Sequence, residues 1–288
     1  MPDPDRLLRT LYKAADLSRM TPGRRGRFVQ LQGAQEVLVA GDLHGHLGNF
    51  QAIYQTTELA KNPKRHFVLQ EVVHGKFRYP NGGDKSHQLL DLFAALKCQF
   101  PSQVHLLLGN HELAQWSNRL VMKDDKDQNA VFREGVTEAY GPDKGPAIYD
   151  AYMRLFGVLP LALRTPNRVF ISHSLPRDKF LARFELRHLE TDVFPAEDLT
   201  VGGSVYELTW GRDTRPEVCN AFLQKVDSDW LVTGHIVCEK GFARPNPKQL
   251  ILDAADSPAA YALLPADRPL TPEAFDASVR VLGASVEA

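Results

Sequence analysis

Apolar positions along the chain come in two periods. Leu7, Leu8, Leu11, Ala14, Ala15 and Leu17 share one helical face, so the spacing predicts an amphipathic helix over 4–20, ended by Thr21-Pro22-Gly23. Beyond it, short apolar runs at 36–40, 67–73, 104–108, 169–172 and 230–233 read as strands. Helix-like stretches near 47–60, 85–98, 146–157 and 216–226 lie between them. Strands alternating with helices predict α/β architecture. Two more strands are expected at 249–253 and 260–264, followed by a proline-initiated helix near 272–282. Two stretches read as insertions: the turn-rich segment 74–84, and the polar segment 121–145 with its Lys123-Asp124-Asp125-Lys126-Asp127 run. Long loops in compact domains tend to be functional lids or mobile segments.

Composition narrows the class without naming a function. Among 288 residues, 34 Lys+Arg stand against 35 Asp+Glu, a net charge of 34 − 35 = −1. That balance speaks against binding a nucleic-acid polymer through a basic footprint. An apolar share of 43% with 24% charged residues excludes a wholly disordered chain. Arg24, Arg25 and Arg27 read as a solvated loop. Cys98, Cys219 and Cys238 form no C-x-x-C pair, so three reduced, mostly buried thiols are expected. Met1-Pro2-Asp3-Pro4-Asp5 lacks the features of a secretory signal. No apolar run approaches the roughly 20 residues of a membrane helix, so a cytoplasmic chain with no membrane partner is the expectation. No repeat or low-complexity linker divides it. A helical leader and loop over 1–35, one domain over 36–265 and a tail over 266–288 follow.

The informative pattern is what comes after each apolar run. The first runs into Gly41-Asp42-Leu43-His44-Gly45, the second into Glu71, the third into Gly109-Asn110-His111-Glu112. The fourth ends at His173 and the fifth at Gly234-His235. In α/β sheets the ligand crevice lies outside the carboxyl ends of the strands, so Asp42, His44, Glu71, Asn110, His173 and His235 are candidates for one site. Oxygen and imidazole ligands without thiolates suit Mn, Fe or Zn better than a structural zinc centre. Glycine before Asp42, Asn110 and His235 is expected to supply a positive-φ turn.

These motifs resemble those of the calcineurin-like metallophosphoesterases, in particular the branch of serine/threonine protein phosphatases and bacterial diadenosine-tetraphosphate hydrolases. Residues 41–45 match G-D-x-H-G and residues 109–112 match G-N-H-E. Ile171-Ser172-His173 and Val232-Thr233-Gly234-His235 sit where the family places its later histidines, and Leu208–Asp213 looks like the L-W-S-R-D segment of bacterial members. The resemblance covers roughly 36–265 and implies a four-layer α/β/β/α sandwich with mixed sheets. It implies two divalent or trivalent metal ions. Asp42 and His44 would bind one, Asn110, His173 and His235 the other, and Glu71 would bridge both. Two metals about 3.5–4 Å apart clamp a hydroxide for in-line attack on phosphorus. His111 would face the leaving-group oxygen as general acid or charge stabiliser. The implied activity is hydrolysis of a phosphate ester on a phosphorylated protein or small molecule. Cleavage of nucleotide or dinucleotide phosphoanhydrides, or non-catalytic phosphate or partner binding, are the alternatives.

The second motif departs from the family pattern G-D-x-x-D-R-G. This chain reads Gln70-Glu71-Val72-Val73-His74-Gly75. Glu71 stands for the bridging Asp, with Asp84 in the insertion as the competing carboxylate. His74 stands for the Asp that supports the G-N-H-E histidine, which makes His111 a poorer proton donor at neutral pH. The phosphate-binding Arg is absent. Arg212 is the first candidate replacement, with an ion pair to Asp213 as its structural alternative, and Lys76 and Arg78 are others. His46, His66, His87, His105 and His188 lack motif support and read as structural or exposed.

Overall fold

The computed structural model describes residues 3–283. The first helix is Pro4–Arg19, started by Asp3, whose Oδ1 accepts from the Arg6 amide at 2.8 Å. Its buried face, Leu7, Leu11, Ala14 and Ala15, lies against helices His87–Gln99 and Gln128–Phe156.

Two sheets stack face to face. The five-stranded sheet runs Val279–Val281, Ala260–Pro265, Glu36–Asp42, Arg65–Gln70 and Val104–Leu106 in spatial order, with the last three parallel. The seven-stranded sheet runs Arg24–Arg25, Phe28–Gln30, Ala162–Arg164, Val169–Ser172, Trp230–Thr233, Gln249–Leu252 and Phe242–Asn246. Alternation along the strands divides the core. Val37, Val39 and Val68 meet Val169, Ile171, Val232 and Leu250 between the sheets, while Leu38, Ala40, Phe67 and Leu69 join the core that includes the helices. Helices lie outside both sheets, as Phe222 on Phe170 illustrates for Pro216–Lys225, and the four-layer α/β/β/α sandwich results. The strands Glu36–Asp42, Arg65–Gln70, Val169–Ser172 and Trp230–Thr233 all deliver their carboxyl ends to one edge.

Several expectations are corrected. The second strand ends at Gln70 rather than 73, because the Val72 and Val73 amides donate to Glu112 Oε1 (2.8 and 3.1 Å) instead of continuing a ladder. Segment 121–145 is no long loop. It holds a short hairpin, Met122–Lys123 with Lys126–Asp127, and the first half of helix Gln128–Phe156. That helix breaks at Gly141 (φ 76°, ψ 167°) and restarts with Pro142, which hid the apolar stripe Val131, Phe132, Val136 and Tyr140. The C-terminal helix is only Pro272–Asp276. Val279–Val281 then pairs antiparallel with Ala260–Pro265, as its β-branched alternation favours.

Of the basic cluster only Arg25 is solvated. Arg27 is fully buried, donates to the carbonyls of Phe156, Gly157 and Leu159, and stacks on Trp116 and Phe194. Arg24 donates to the Ser18 and Val158 carbonyls. The three cysteines are free thiols. No helix among the described residues is long and apolar enough to cross a membrane.

Candidate metal centre

Every sequence-predicted site residue except Asp84 and Arg78 lies around one cleft of about 290 Å³, or directly beneath it. Its lining includes His44, Glu71, His74, Asn110, His111, Arg212 and His235. Glu71 is the central carboxylate. Its Oε2 lies 3.3 Å from His44 Nε2 and 3.5 Å from His173 Nε2, and its Oε1 accepts from the His111 amide at 2.9 Å. Ligand atoms of Glu71 therefore cluster with those of His44 and His111 on one side, and with those of His173 and His235 on the other. Asn110 Oδ1 is 2.8 Å from His173 Nε2, and Asp42 Oδ1 is 3.7 Å from His173 Nδ1. Asp42 Oδ2 accepts from the His235 amide at 2.6 Å.

The backbone is bent hard to reach this arrangement. His44, Glu71, His74 and His235 all take positive φ (40°, 34°, 58° and 67°), which costs a non-glycine residue of order 1–3 kcal/mol. The expectation for the preceding glycines is corrected, since Gly41, Gly109 and Gly234 do not have positive φ. They are needed for close approach. A Cβ on Gly234 would sit 2.1 Å from Asp42 Oδ1, and one on Gly109 would sit 2.7 Å from Glu112 Oε2.

Electrostatics in the buried cluster are opposed. Burial, then the neighbouring Glu71 charge, raises Asp42 well above the usual carboxylate range. Burial pushes Glu71 upward too, but the surrounding His173, His111 and His44 outweigh it and hold Glu71 well below its ordinary value. His44 is pushed up to about 10, because the Glu71 and Asp42 charges overcome its burial. Its Nδ1 donates to the Val73 carbonyl at 2.9 Å and its protonated Nε2 faces Glu71 Oε2, so a metal ion bound at Nε2 would replace that proton. Burial lowers His173, and pulls His235 down to about 2.

His74 and His111 form a neutral relay. Gln115 Nε2 faces the Asn129 carbonyl and the Tyr149 hydroxyl, so its Oε1 accepts from His74 Nε2 at 2.8 Å. His74 Nδ1 then carries a lone pair and accepts from His111 Nδ1 at 2.5 Å. Neutral His111 in this tautomer keeps a lone pair, not a proton, on Nε2. Burial lowers both rings to about 4.

The remaining candidates separate cleanly. Asp84 does not fold back to the centre; its carboxylate accepts from the Gly75 amide and from Ser86, and pairs with Arg78 at 3.3 Å. Lys76 pairs with Asp256. Arg212 faces the cleft, and Asp213 pairs with Arg215 rather than with it. His46 caps helix Leu47–Thr57, His66 stacks on His105, His87 bonds Tyr79, and His188 bonds Ser204. Sequence reasoning missed Glu112, Gln115 and Lys123. Glu112 stood in view inside G-N-H-E, but its task depends on where Val72 and Val73 come to lie. Burial and Glu71 raise its carboxyl to about 7.

Comparison with known proteins bears on the fold and the family. Serine/threonine-protein phosphatase 5 of Homo sapiens is 24% identical over 229 residues, covering 74% of this chain and 41% of that protein. The Arabidopsis thaliana protein of the same name is 24% identical over 242 residues, 77% of this chain and 40% of that one. The chain thus spans less than half the length of these curated relatives. Among solved structures, a Saccharomyces cerevisiae protein serine/threonine phosphatase superposes with a TM-score of 0.69 at 17% identity, over 97% of this chain and 89% of that one. A cold-active protein-tyrosine phosphatase of a Shewanella species reaches 0.61 at 15% identity, over 93% and 84%. These two share the fold. The family profile of the calcineurin-like phosphoesterases matches residues 36–239, and the chain belongs to that family, whose members use divalent metal ions.

Proposed function

We propose that this chain is a metal-dependent phosphoesterase that hydrolyses a phosphate monoester on a protein or small molecule. The observation that carries the reading is the shared position of Glu71, whose carboxylate is within reach of two histidine groups at once. Three buried atoms beside it, Asp42 Oδ1, His173 Nδ1 and His235 Nε2, have no hydrogen-bond partner. Unpartnered lone pairs in a buried cluster are costly unless a cation completes them, so this donor set fits metal ions.

Asp42 and His44 would hold one ion, Asn110, His173 and His235 the other, with Glu71 between them. Bound there, two such ions supply Lewis-acid charge and lower the pKa of a water. Oxygen and imidazole donors without thiolate favour Mn, Fe or Zn. Arg212 holds the substrate phosphate from the cleft wall. His111 faces the leaving-group oxygen, its ring fixed by His74 and flanked by Trp210 at 6.4 Å. The free thiols are in keeping with a reducing, cytoplasmic setting.

A second reading, a non-catalytic phosphate-binding protein, draws on the neutral His74 where the family carries a carboxylate. Assaying aryl-phosphate hydrolysis with added Mn for wild type, Glu71→Ala and His111→Ala decides between them. Turnover lost in both variants supports the phosphoesterase; no wild-type turnover in metal-loaded protein favours the second reading.

A further inference from the structure

We infer that Lys123 binds the substrate phosphate in place of the guanidinium missing from the second motif, and that buried Gln128 positions it. The inference rests on the phosphoesterase reading and deepens it.

After His74 the chain continues with Gly75, so no cation follows directly. The two cations of the insertion already have acidic partners, although Lys76 and its partner Asp256 line the same cleft. Lys76 pairs with Asp256, and Arg78 is held between Asp84 (3.3 Å) and Gln128 Oε1 (3.1 Å). Lys123 also lines the cleft, its charge is felt at His111, and its side chain makes no ion pair among the described residues. It arrives there from a separate element, the hairpin Met122–Lys123 and Lys126–Asp127.

That hairpin is built to hold a fixed pose. Its two turn residues, Asp124 and Asp125, take φ of 51° and 57°, the left-handed pair that a tight two-residue hairpin requires. At its base, Gln128 Nε2 donates to the carbonyls of Lys123 and Lys126, each at 3.1 Å. The Gln128 amide donates to the Val121 carbonyl at 2.9 Å. A continuous path therefore runs from Asp84 through Arg78 and Gln128 to the Lys123 backbone. The insertion that removed one phosphate-binding cation supports the hairpin that presents another. Lysine acts on phosphate as a point charge, so arginine at the same place should serve at least as well.

The test uses the full chain reconstituted with Mn, with inorganic phosphate titrated by calorimetry and metal per chain counted in each sample. Lys123→Gln is expected to weaken phosphate binding about tenfold to a hundredfold, the usual worth of a hydrogen bond to a charged group, with metal content unchanged. Lys123→Arg should restore it. Gln128→Leu should weaken binding in the wild type but add nothing in the Lys123→Gln background, a coupling that general loosening of the fold would not give. Unchanged binding in Lys123→Gln, in a protein that holds metal and phosphate, overturns the inference alone. Wild-type protein that takes up no metal or binds no phosphate overturns the reading beneath it as well.

Discussion

Restoring the family carboxylate beside His111 is the most informative single change. In His74→Asp, a negative charge replaces a neutral ring whose centroid lies 4.7 Å from that of His111. At that separation and an effective dielectric of about 20, the carboxylate favours the imidazolium by about 3.5 kcal/mol, or about 2.6 pK units. Opposite charges at such range usually shift a pKa by about 1–3 units. His111, held near 4 by burial, should therefore rise to about 6–7. Near neutral pH the protonated fraction would climb from about one in a thousand to about a quarter. Bound cations lower the value in both proteins, so the difference between them is the quantity to read. NMR titration of the His111 imidazole measures it directly. Hydrolysis should respond in step: an alkyl phosphate, whose leaving oxygen needs a proton, should gain at least about tenfold in kcat/KM relative to an aryl phosphate, which needs it less. A His111 pKa that stays put or falls in His74→Asp, or an unchanged alkyl-to-aryl ratio, would refute the relay.

Three further outcomes follow from the same structure. His66 Nδ1 and His105 Nε2 share a contact of 3.0 Å, and burial lowers both rings, His66 to about 4. The unfolded chain takes up protons first as pH falls below about 6.5, so stability present above that value is lost toward pH 4, about 3 kcal/mol for His66 alone. Urea unfolding from pH 7 to 5 should show a slope that His66→Leu/His105→Leu flattens; equal slopes would contradict it. Gly234→Ala places a Cβ 2.1 Å from Asp42 Oδ1 and should cost about a hundredfold in kcat/KM with the circular dichroism spectrum unchanged, whereas full activity would show that Asp42 tolerates displacement. Arg27→Leu leaves three main-chain carbonyls, two of them in buried contacts, without this donor and should lower stability by about 3 kcal/mol in denaturant titrations; an unmoved midpoint would mean water replaces the guanidinium.

Strand ends carrying Asp42, Glu71, Asn110, His173 and His235 were legible because period and position sufficed: an apolar run, a turn, then a polar residue. Alternation of strands with helices predicted α/β architecture, and the family resemblance implied its four layers. What the pattern could not convey was where loops come to rest. Val72 and Val73 look like strand, yet the Glu112 carboxylate takes their amides. Gly141-Pro142 lies inside what reads as a polar insertion over 121–145, yet it is a kink between two helical halves. Arg27 reads as surface charge because its partners are main-chain carbonyls 129–132 residues away, which leave no trace in residue type. Lys123 was hidden for a related reason, since a lysine in an acidic run gives no sign of the buried Gln128 that orients its backbone.

The central claim is that Glu71 joins two cation sites. Metal analysis of Mn-reconstituted protein, purified free of excess metal, addresses it without reliance on any substrate. Two ions per chain in the wild type and no more than one in Glu71→Ala is the predicted result. Fewer than one ion per chain in the wild type, or two retained in Glu71→Ala, would contradict it.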